Sequence, residues 1–389
     1  VLMVAAIMGE GETVLDNLPR IRDVEVMIEL LNDLGVKTKW NDDCSLSICP
    51  PTGPIKIQTS YELSKQLRAS NLFLGGILGR EGEAVISMPG GCDIGSRPMD
   101  LHIKGLQAMG MQVDIEHGYI FARTKKARGA RVYLDFPSVG ATENLMMMAA
   151  RIPGTTLIEN AAKEPEIVDL ANFLNSMGAK IRGGGTDLIK IDGVSQLKAG
   201  RYAIIPDRIE AGTFMAAAVI SGGDVVVENI IPTHLYPIIA KLQETGAVIE
   251  ECDEGIRVKA GEGILPADIK TLPYPGFPTD MQSQMMALLA LARGSSVIVE
   301  NVFENRFQIV DELKRMGAQI KVEGHTAVVQ GVKTLYGARV KATDLRAGAA
   351  LVLAGLAAQG VTEIERAQHI FRGYESIEEK LRGLGARVE

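Results

Sequence analysis

The sequence predicts an α/β protein of two domains, each built from three repeats of about 70 residues. A Leu-x-x-x-Gly signature recurs six times, a strongly apolar segment precedes each copy, and short strand-like runs follow both. The chain has 389 residues, 46% of them hydrophobic, which is longer than one hydrophobic core usually serves. Three repeats make a domain of ordinary size, so we expect one domain over residues 1–206 and another over 207–389.

The Leu-x-x-x-Gly signature predicts the end of an amphipathic helix. Its leucine and the residue before its glycine continue an apolar stripe at helical spacing. Glycine suits the end of a helix because it adopts a left-handed backbone at little cost. Alternating residues such as Ala179, Lys180 and Ile181 then begin a strand. The six signature glycines are Gly35, Gly110, Gly178, Gly246, Gly317 and Gly385.

A second, more apolar helix is predicted about 24 residues earlier in each repeat, closed by a glycine of its own. Segments such as "ATENLMMMAARIPG" and "LRAGAALVLAGLAAQG" are apolar almost all round, which indicates buried helices. Strands such as "TTLIEN" and "SSVIVEN" follow them. Ligands favour the cleft between two such domains, so we expect the active site there. The closing glycines are Gly11, Gly82, Gly154, Gly223, Gly294 and Gly360.

The first repeat is incomplete, because the chain begins inside its apolar helix without an initiator methionine. Later repeats have a strand ahead of that helix, so we expect an N-terminal segment to be missing. Residues 1–8 are apolar but too short to span a bilayer, and no basic segment precedes them. We therefore expect neither a signal peptide nor a membrane anchor.

The composition indicates a cytoplasmic protein that does not bind nucleic acid. The four cysteines have neither zinc-site nor disulfide-framework spacing, which favours a reducing compartment. A net charge of -7 argues against nucleic-acid affinity, which needs a basic surface. Cations that serve an anionic ligand must therefore be concentrated locally.

The segment "PGGCDIGSRP" of the second repeat is the first candidate for function. The two marker glycines are 23 to 25 positions apart in five repeats and 28 apart in the second, and the excess contains Cys92. A loop added at one of six equivalent positions indicates function more often than structure. Its glycines would let it move as a lid, and Arg97 would lower the thiol pKa. An incidental surface thiol remains the alternative.

Other candidates depart from the repeat pattern or lie near predicted helix starts. His102 replaces an apolar residue of the other five repeats, although a partly exposed histidine without a role would fit equally well. Asp280 in "FPTDMQ" precedes a buried helix, where an acidic residue is also an ordinary N-cap. Arginines near helix starts can receive phosphate or carboxylate together with the helix dipole. They are Arg68, Arg97, Arg208, Arg306, Arg346 and Arg372.

The whole chain resembles the MurA-type enolpyruvyl transferases, which act on UDP-N-acetylglucosamine in peptidoglycan synthesis. The resemblance rests on "LRASNLF", "PGGCDIGSRPMDLHI", "ENAAKEPEIVD", "PDRIEAGTF", "FPTDMQ", "FENRF", "TDLRAG" and "HIFRGYE". It implies two inside-out α/β domains of the EPSP synthase type, with helices buried and sheets outward. It also implies transfer of the enolpyruvyl group of phosphoenolpyruvate to the sugar 3-hydroxyl, with release of phosphate.

The resemblance assigns catalytic roles to two of the candidates. It makes Cys92 the lid cysteine that donates a proton to the methylene carbon of phosphoenolpyruvate, and the expected target of the epoxide phosphonate fosfomycin. It places Asp280 to take the proton of the sugar hydroxyl. Arg97 and Arg372 would contact phosphoenolpyruvate. The surrounding cations would be Arg68, Arg306 and Arg346.

The resemblance also implies a binding site for the sugar nucleotide. Phe136 stands where some members have a lysine, and the paired lysine and asparagine of the family would lie just before Val1. No metal or organic cofactor is needed, because a proton donor, a base and cations supply the chemistry. The alternatives are a 5-enolpyruvylshikimate-3-phosphate synthase and a catalytically weak UDP-sugar-binding paralogue. The implied sugar-nucleotide residues are Asp100, Leu101, His102, Ser138, Val139, Gly140 and Val302.

Overall fold

A computed structural model of the chain describes residues 1–42, 44–88 and 99–389. The described residues divide into two compact units, one ending at Ile205 and the other beginning at Pro206. Each unit has its own hydrophobic core. The predicted lid segment, with Cys92 and Arg97, lies outside the described residues. None of the described helices is long and apolar enough to cross a bilayer.

The first unit contains seven described α-helices interspersed with single strands and groups of strands. Its helices are α1 (Leu2–Ala6), α2 (Arg22–Asp33), α3 (Tyr61–Ser64), α4 (Phe73–Glu81), α5 (Asp100–Ala108), α6 (Val139–Ala149) and α7 (Pro165–Ser176). Its strands are β1 (Thr13–Asp16), β2 (Lys37–Trp40), β3 (Leu46–Cys49), β4 (Glu83–Ser87), β5 (Met111–Glu116), β6 (Tyr119–Thr124), β7 (Arg131–Tyr133), β8 (Thr155–Glu159), β9 (Lys180–Arg182), β10 (Leu188–Asp192) and β11 (Arg201–Ala203).

The second unit likewise intersperses its helices with single strands and groups of strands. Its helices are α8 (Arg208–Ser221), α9 (Tyr236–Glu244), α10 (Gln282–Leu289), α11 (Ile309–Arg315), α12 (Leu345–Ala357) and α13 (Ile377–Gly383). Its strands are β12 (Asp224–Glu228), β13 (Val248–Cys252), β14 (Gly255–Lys259), β15 (Ile269–Lys270), β16 (Ser295–Val299), β17 (Gln319–Glu323), β18 (Thr326–Gln330), β19 (Arg339–Lys341) and β20 (Glu363–Glu365).

The strands form small sheets, one for each repeat. In the first unit their orders are β11-β1-β3-β2, β4-β6-β5 and β7-β8-β10-β9, and in the second β12-β14-β13, β15-β16-β18-β17 and β19-β20. Strand β11, at the end of the third repeat, pairs in parallel with β1 of the first, with Val14 opposite Arg201. That pairing joins the last repeat of the first unit to its first repeat.

The apolar helices occupy the middle of each unit. In the second unit α8, α10 and α12 pack on one another, and in the first α4 packs on α1 and α6. Every residue of α10 is buried. Strands such as β12 and β18 instead alternate between more and less exposed residues, so one face of each meets solvent. The predicted inside-out arrangement, with helices buried and sheets outward, is therefore confirmed.

The six signature glycines all have a left-handed backbone, with φ between 84° and 102°. The closing glycine of the fourth repeat was predicted one residue too late. Gly222, with φ 75°, follows α8, and the N–H of Gly223 then donates to the Ala218 carbonyl at 2.8 Å. In the second repeat the apolar segment "YELSKQLRASNLFLGGILG" does not form one helix, because Leu67 is extended (φ -133°, ψ 121°) and separates α3 from the segment leading into α4.

Candidate active site

The carboxylate of Asp280 lies between two guanidinium groups in the second unit. Arg306 Nη2 donates to its Oδ1 at 2.8 Å, and Arg346 Nη2 donates to its Oδ2 at 3.1 Å. The side chain of Asp280 is 39% exposed, whereas those of Arg306 and Arg346 are 3% and 14% exposed. We call these three residues the aspartate–arginine cluster. It holds two cations behind one solvent-facing carboxylate.

Three helix starts hold the aspartate–arginine cluster in place. Asp280 lies in the 3₁₀ turn Thr279–Met281 ahead of α10, and Arg306 begins the 3₁₀ turn Arg306–Gln308 ahead of α11. Arg346 is the second residue of α12, whose N-cap Asp344 accepts from the N–H of Arg346 at 2.8 Å. No side chain caps α10. The carboxylate of Asp280 thus pairs with arginines, and the N-cap interpretation is wrong.

The charge balance of the cluster keeps Asp280 ionised. Burial by itself raises the pKa of this carboxyl, but the charges of Arg346 and Arg306 outweigh it, and the pKa lies well below its ordinary value. A carboxylate held in this way is a weak proton acceptor. An anionic ligand that drew either guanidinium away would raise its pKa and make it a stronger base.

A buried hydrogen-bond network that includes Tyr374 orients Arg346. Its Nη1 donates to the hydroxyl of Tyr374 at 3.1 Å. The hydroxyl of Thr213 donates to the Ile209 carbonyl at 2.7 Å, so the Tyr374 hydroxyl, 2.9 Å away, must donate to Thr213. Gln284 Nε2 also donates to Tyr374 at 3.3 Å. Tyr374 therefore offers its lone pairs to Arg346 and Gln284, which fixes the direction of the guanidinium.

A buried carboxylate, that of Glu300, links the segment before Asp280 to the loop that carries Val302. Its Oε1 accepts from the N–H groups of Val302 and Phe303 at 2.8 and 3.1 Å, and from the Thr271 hydroxyl at 2.8 Å. Its Oε2 accepts from the Thr279 hydroxyl at 2.9 Å. Glu300 is 1% exposed, so these contacts replace its hydration. It positions two of the segments to which the resemblance assigned a role.

Two other arginines predicted for the site, Arg208 and Arg372, also lie in the second unit. Arg208 begins α8, lies 5.9 Å from the ring centroid of Tyr274, and its charge also lowers the pKa of Asp280. Arg372 follows the 3₁₀ turn Ala367–His369, and its charge helps to lower the pKa of His369, for which burial is the larger cause.

The first unit contains a different polar group, around His102. His102 lies in the first turn of α5, after Asp100 and Leu101, and is 4% exposed, so the alternative of a partly exposed histidine is wrong. Its Nδ1 lies 2.9 Å from Asn144 Nδ2. Burial lowers the pKa of His102 to about 4, and the charge of Arg68 acts in the same direction. His102 is therefore a neutral side chain at physiological pH.

The start of α6 lies against His102. Ser138 is its N-cap and accepts from the N–H of Ala141 at 3.3 Å, and Val139 and Gly140 follow. A Cβ atom on Gly140 would lie 3.6 Å from His102 Nε2. The nearby Phe136 is 45% exposed. We call His102, Asn144, Asn71 and Gly140 the histidine cluster. Within the described ranges, no group of three or more His, Cys, Asp or Glu side chains could hold a metal ion.

The structure thus brings Asp280, Arg306 and Arg346 together in the second unit, and His102 and Gly140 together in the first. It also adds Tyr374, Glu300 and Asn144, which sequence reasoning missed. The available signal was a polar residue inside a strongly apolar helix, such as Asn144 in "ATENLMMMAARIPG", because such a residue must find a buried partner.

Comparison with known proteins gives consistent matches over the whole chain. The family model described as EPSP synthase (3-phosphoshikimate 1-carboxyvinyltransferase) matches residues 1–381. UDP-N-acetylglucosamine 1-carboxyvinyltransferase 1 of Caldanaerobacter subterraneus is 57% identical, with 100% of this chain and 92% of the relative covered. UDP-N-acetylglucosamine 1-carboxyvinyltransferase 2 of Carboxydothermus hydrogenoformans is 55% identical, with 100% of this chain and 93% of the relative covered.

Two solved structures share the fold at low sequence identity. The enolpyruvyl transferase NikO from Streptomyces tendae has a TM-score of 0.89 at 23% identity, covering 100% of this chain and 92% of that one. EPSP synthase from Acinetobacter baumannii has a TM-score of 0.74 at 19% identity, covering 100% and 94%. The chain belongs to the EPSP synthase family, and within it to the group of UDP-N-acetylglucosamine 1-carboxyvinyltransferases.

Proposed function

We propose that this protein transfers the enolpyruvyl group of phosphoenolpyruvate to the 3-hydroxyl of UDP-N-acetylglucosamine and releases phosphate. The observation that carries the proposal is full-length identity above 50% to relatives named for this reaction. The aspartate–arginine cluster supports it, because the reaction needs a base for a hydroxyl and cations for phosphate. The proposed setting is the cytoplasm, in peptidoglycan synthesis.

In the proposed reaction the sugar oxygen forms a bond to carbon 2 of phosphoenolpyruvate while carbon 3 gains a proton. Loss of a proton from carbon 3 and of phosphate from carbon 2 then gives the enol ether. Asp280 is the proposed acceptor of the hydroxyl proton, and Cys92 the proposed donor to carbon 3. An anion that binds Arg306 or Arg346 would free Asp280 to accept that proton.

The remaining cations and the binding residues are proposed from the same pattern. Arg68, Arg97 and Arg372 would contact the anionic groups of the substrates. Contacts with the sugar nucleotide are proposed for Asp100, Leu101, His102, Ser138, Val139, Gly140 and Val302.

The test is a phosphate-release assay on the full-length protein, with either UDP-N-acetylglucosamine or shikimate 3-phosphate as the acceptor. The second acceptor is included because the family model also describes 3-phosphoshikimate 1-carboxyvinyltransferase. We expect phosphate release only with the sugar nucleotide. Equal turnover with shikimate 3-phosphate would move the assignment to the other enzyme. Binding of the sugar nucleotide without any turnover would indicate a UDP-sugar-binding paralogue.

A further inference from the structure

Asn144 links three segments of the first unit through one buried amide. Its Oδ1 accepts from the backbone N–H of Gly75 at 2.6 Å, and its Nδ2 donates to the Asn71 carbonyl at 3.1 Å. The same Nδ2 lies 2.9 Å from His102 Nδ1. Asn144 is fully buried, so water cannot replace these contacts.

These contacts determine where the proton of His102 lies. A backbone N–H can only donate and a carbonyl can only accept, so the partners of Asn144 at Gly75 and Asn71 fix the orientation of its amide. The amide nitrogen that faces His102 is then a donor with no lone pair to offer. Nδ1 of His102 must accept, and the single proton of the neutral ring must be on Nε2.

The surroundings of Nε2 leave this proton available. Among the residues that the structure describes, no protein group accepts a hydrogen bond from Nε2. Gly140 keeps space beside it, because any side chain there would begin 3.6 Å from that nitrogen. Burial is the largest cause of the low pKa of His102, and the charge of Arg68 also opposes a second proton on the ring. The charge of Asp100 acts in the other direction but is the smallest of the three causes. The ring therefore offers one fixed, uncharged donor.

We propose that Asn144 is a positioning residue that fixes His102 as a neutral Nε2–H donor to an anionic oxygen of the nucleotide sugar. The identity of this ligand rests on the proposed function, whereas the position of the proton does not. A neutral donor gives a hydrogen bond of constant strength over the physiological pH range, because the pKa of about 4 lies below it. Sugar-nucleotide affinity should therefore not follow an ordinary histidine titration.

The first test measures the proton directly. Long-range ¹H–¹⁵N correlation spectra of the full chain, labelled at its five histidines, report which ring nitrogen of each is protonated. The His102 signals are assigned from their loss in His102→Gln. We expect the neutral Nε2–H form throughout, with no titration near the ordinary histidine pKa of about 6.5. A proton on Nδ1, or titration near that value, would overturn the proposal.

The second test asks whether Asn144 sets this state. In Asn144→Ala we expect a mixture of ring tautomers and a weakening of UDP-N-acetylglucosamine binding by the fraction of the Nε2–H form that is lost, about twofold for an even mixture. Thr142→Val is the matched control. Thr142 is also a fully buried residue of α6, and it donates to the Ser138 carbonyl at 2.8 Å and accepts from the Ala162 N–H at 3.1 Å. It should lower stability but leave the tautomer and the affinity unchanged.

A third variant serves if Asn144→Ala does not fold. Gly140→Ala places a methyl group in van der Waals contact with the His102 ring, next to Nε2, and should weaken binding while the tautomer stays the same. Wild-type affinity in both Asn144→Ala and Gly140→Ala would overturn the proposal. The spectra of the unliganded protein do not depend on turnover, so an inactive protein with the expected tautomer would reject the proposed reaction alone. An active protein with a proton on Nδ1 would reject this inference alone.

Discussion

Replacing Tyr374 by phenylalanine should separate the orientation of Arg346 from its charge. The substitution keeps the ring, which is 1% exposed, and removes only the hydroxyl. Arg346 keeps its contact with Asp280 at 3.1 Å but loses the acceptor that its Nη1 reaches at 3.1 Å. The guanidinium then keeps its bond to Asp280 and its place 5.6 Å from the ring centroid, but it loses the acceptor that fixes the direction of Nη1.

The loss of stability in Tyr374→Phe depends on which hydrogen-bond donors lose their acceptor. Gln284 Nε2 keeps the Thr213 hydroxyl as an acceptor at 3.1 Å, so Arg346 Nη1 is the main loss. Leaving such a donor unsatisfied should lower the free energy of unfolding of the second unit by about 2–3 kcal/mol. For a domain of this size that is a fall in melting temperature of roughly 4–12 °C. If the anion that binds beside Asp280 at Arg346 belongs to phosphoenolpyruvate, KM for phosphoenolpyruvate should rise by about tenfold.

Thermal unfolding and steady-state kinetics on the same preparation test both parts. Thr213→Val is the control, because it removes the acceptor of the Tyr374 hydroxyl proton but keeps the bond from Arg346 to Tyr374. It should destabilise the protein without a comparable rise in KM. The reasoning would be refuted by a wild-type KM and melting temperature in Tyr374→Phe. An equal rise in KM for both variants would show that general loosening, rather than the orientation of Arg346, is responsible.

Three further predictions concern two carboxylates of the second unit, those of Asp280 and Glu300. Asp280→Ala should abolish phosphate release yet leave the calorimetric Kd for the sugar nucleotide within about tenfold, since the aspartate acts mainly in the transition state; normal turnover would remove it from the mechanism. Because Arg306 and Arg346 hold the folded pKa of Asp280 below its ordinary value, its stabilisation is complete above that ordinary value of about 4 and is lost as the pH falls below it. Urea unfolding of Asp280→Asn should accordingly show a shallower loss of stability in acid than wild type, and parallel curves would contradict this. Glu300→Gln should cost about 1–3 kcal/mol and raise KM for the sugar nucleotide, because an amide can accept on one oxygen only; unchanged unfolding would show that this carboxylate does not hold the Val302 loop.

Most of the fold could be predicted because the signal that ends a helix, a single glycine, is local in the sequence. A left-handed backbone after a helix selects glycine, so the same residue marks the end of an amphipathic helix in all six repeats. The rule was ambiguous where two glycines are adjacent, at Gly222 and Gly223, since either fits. It also says nothing of where a helix begins. The extended backbone at Leu67 shortens the helix of the second repeat without any glycine or proline nearby.

The candidate site was only partly predictable, because its support comes from residues far apart in the chain. Asp280 and its arginines stand at helix starts, where position alone suggests anion binding. Thr213 and Tyr374, by contrast, meet across 161 residues, and Asn144 bonds to the backbone of a residue 69 positions earlier. No pattern of residue spacing relates positions so far apart in the sequence. Yet an inside-out fold places these helices where their polar side chains cannot reach water, so each must pair with another buried group. A polar residue within an apolar helix therefore indicates, from the sequence alone, a buried contact that supports a site. Asn144 is the clearest example in this chain.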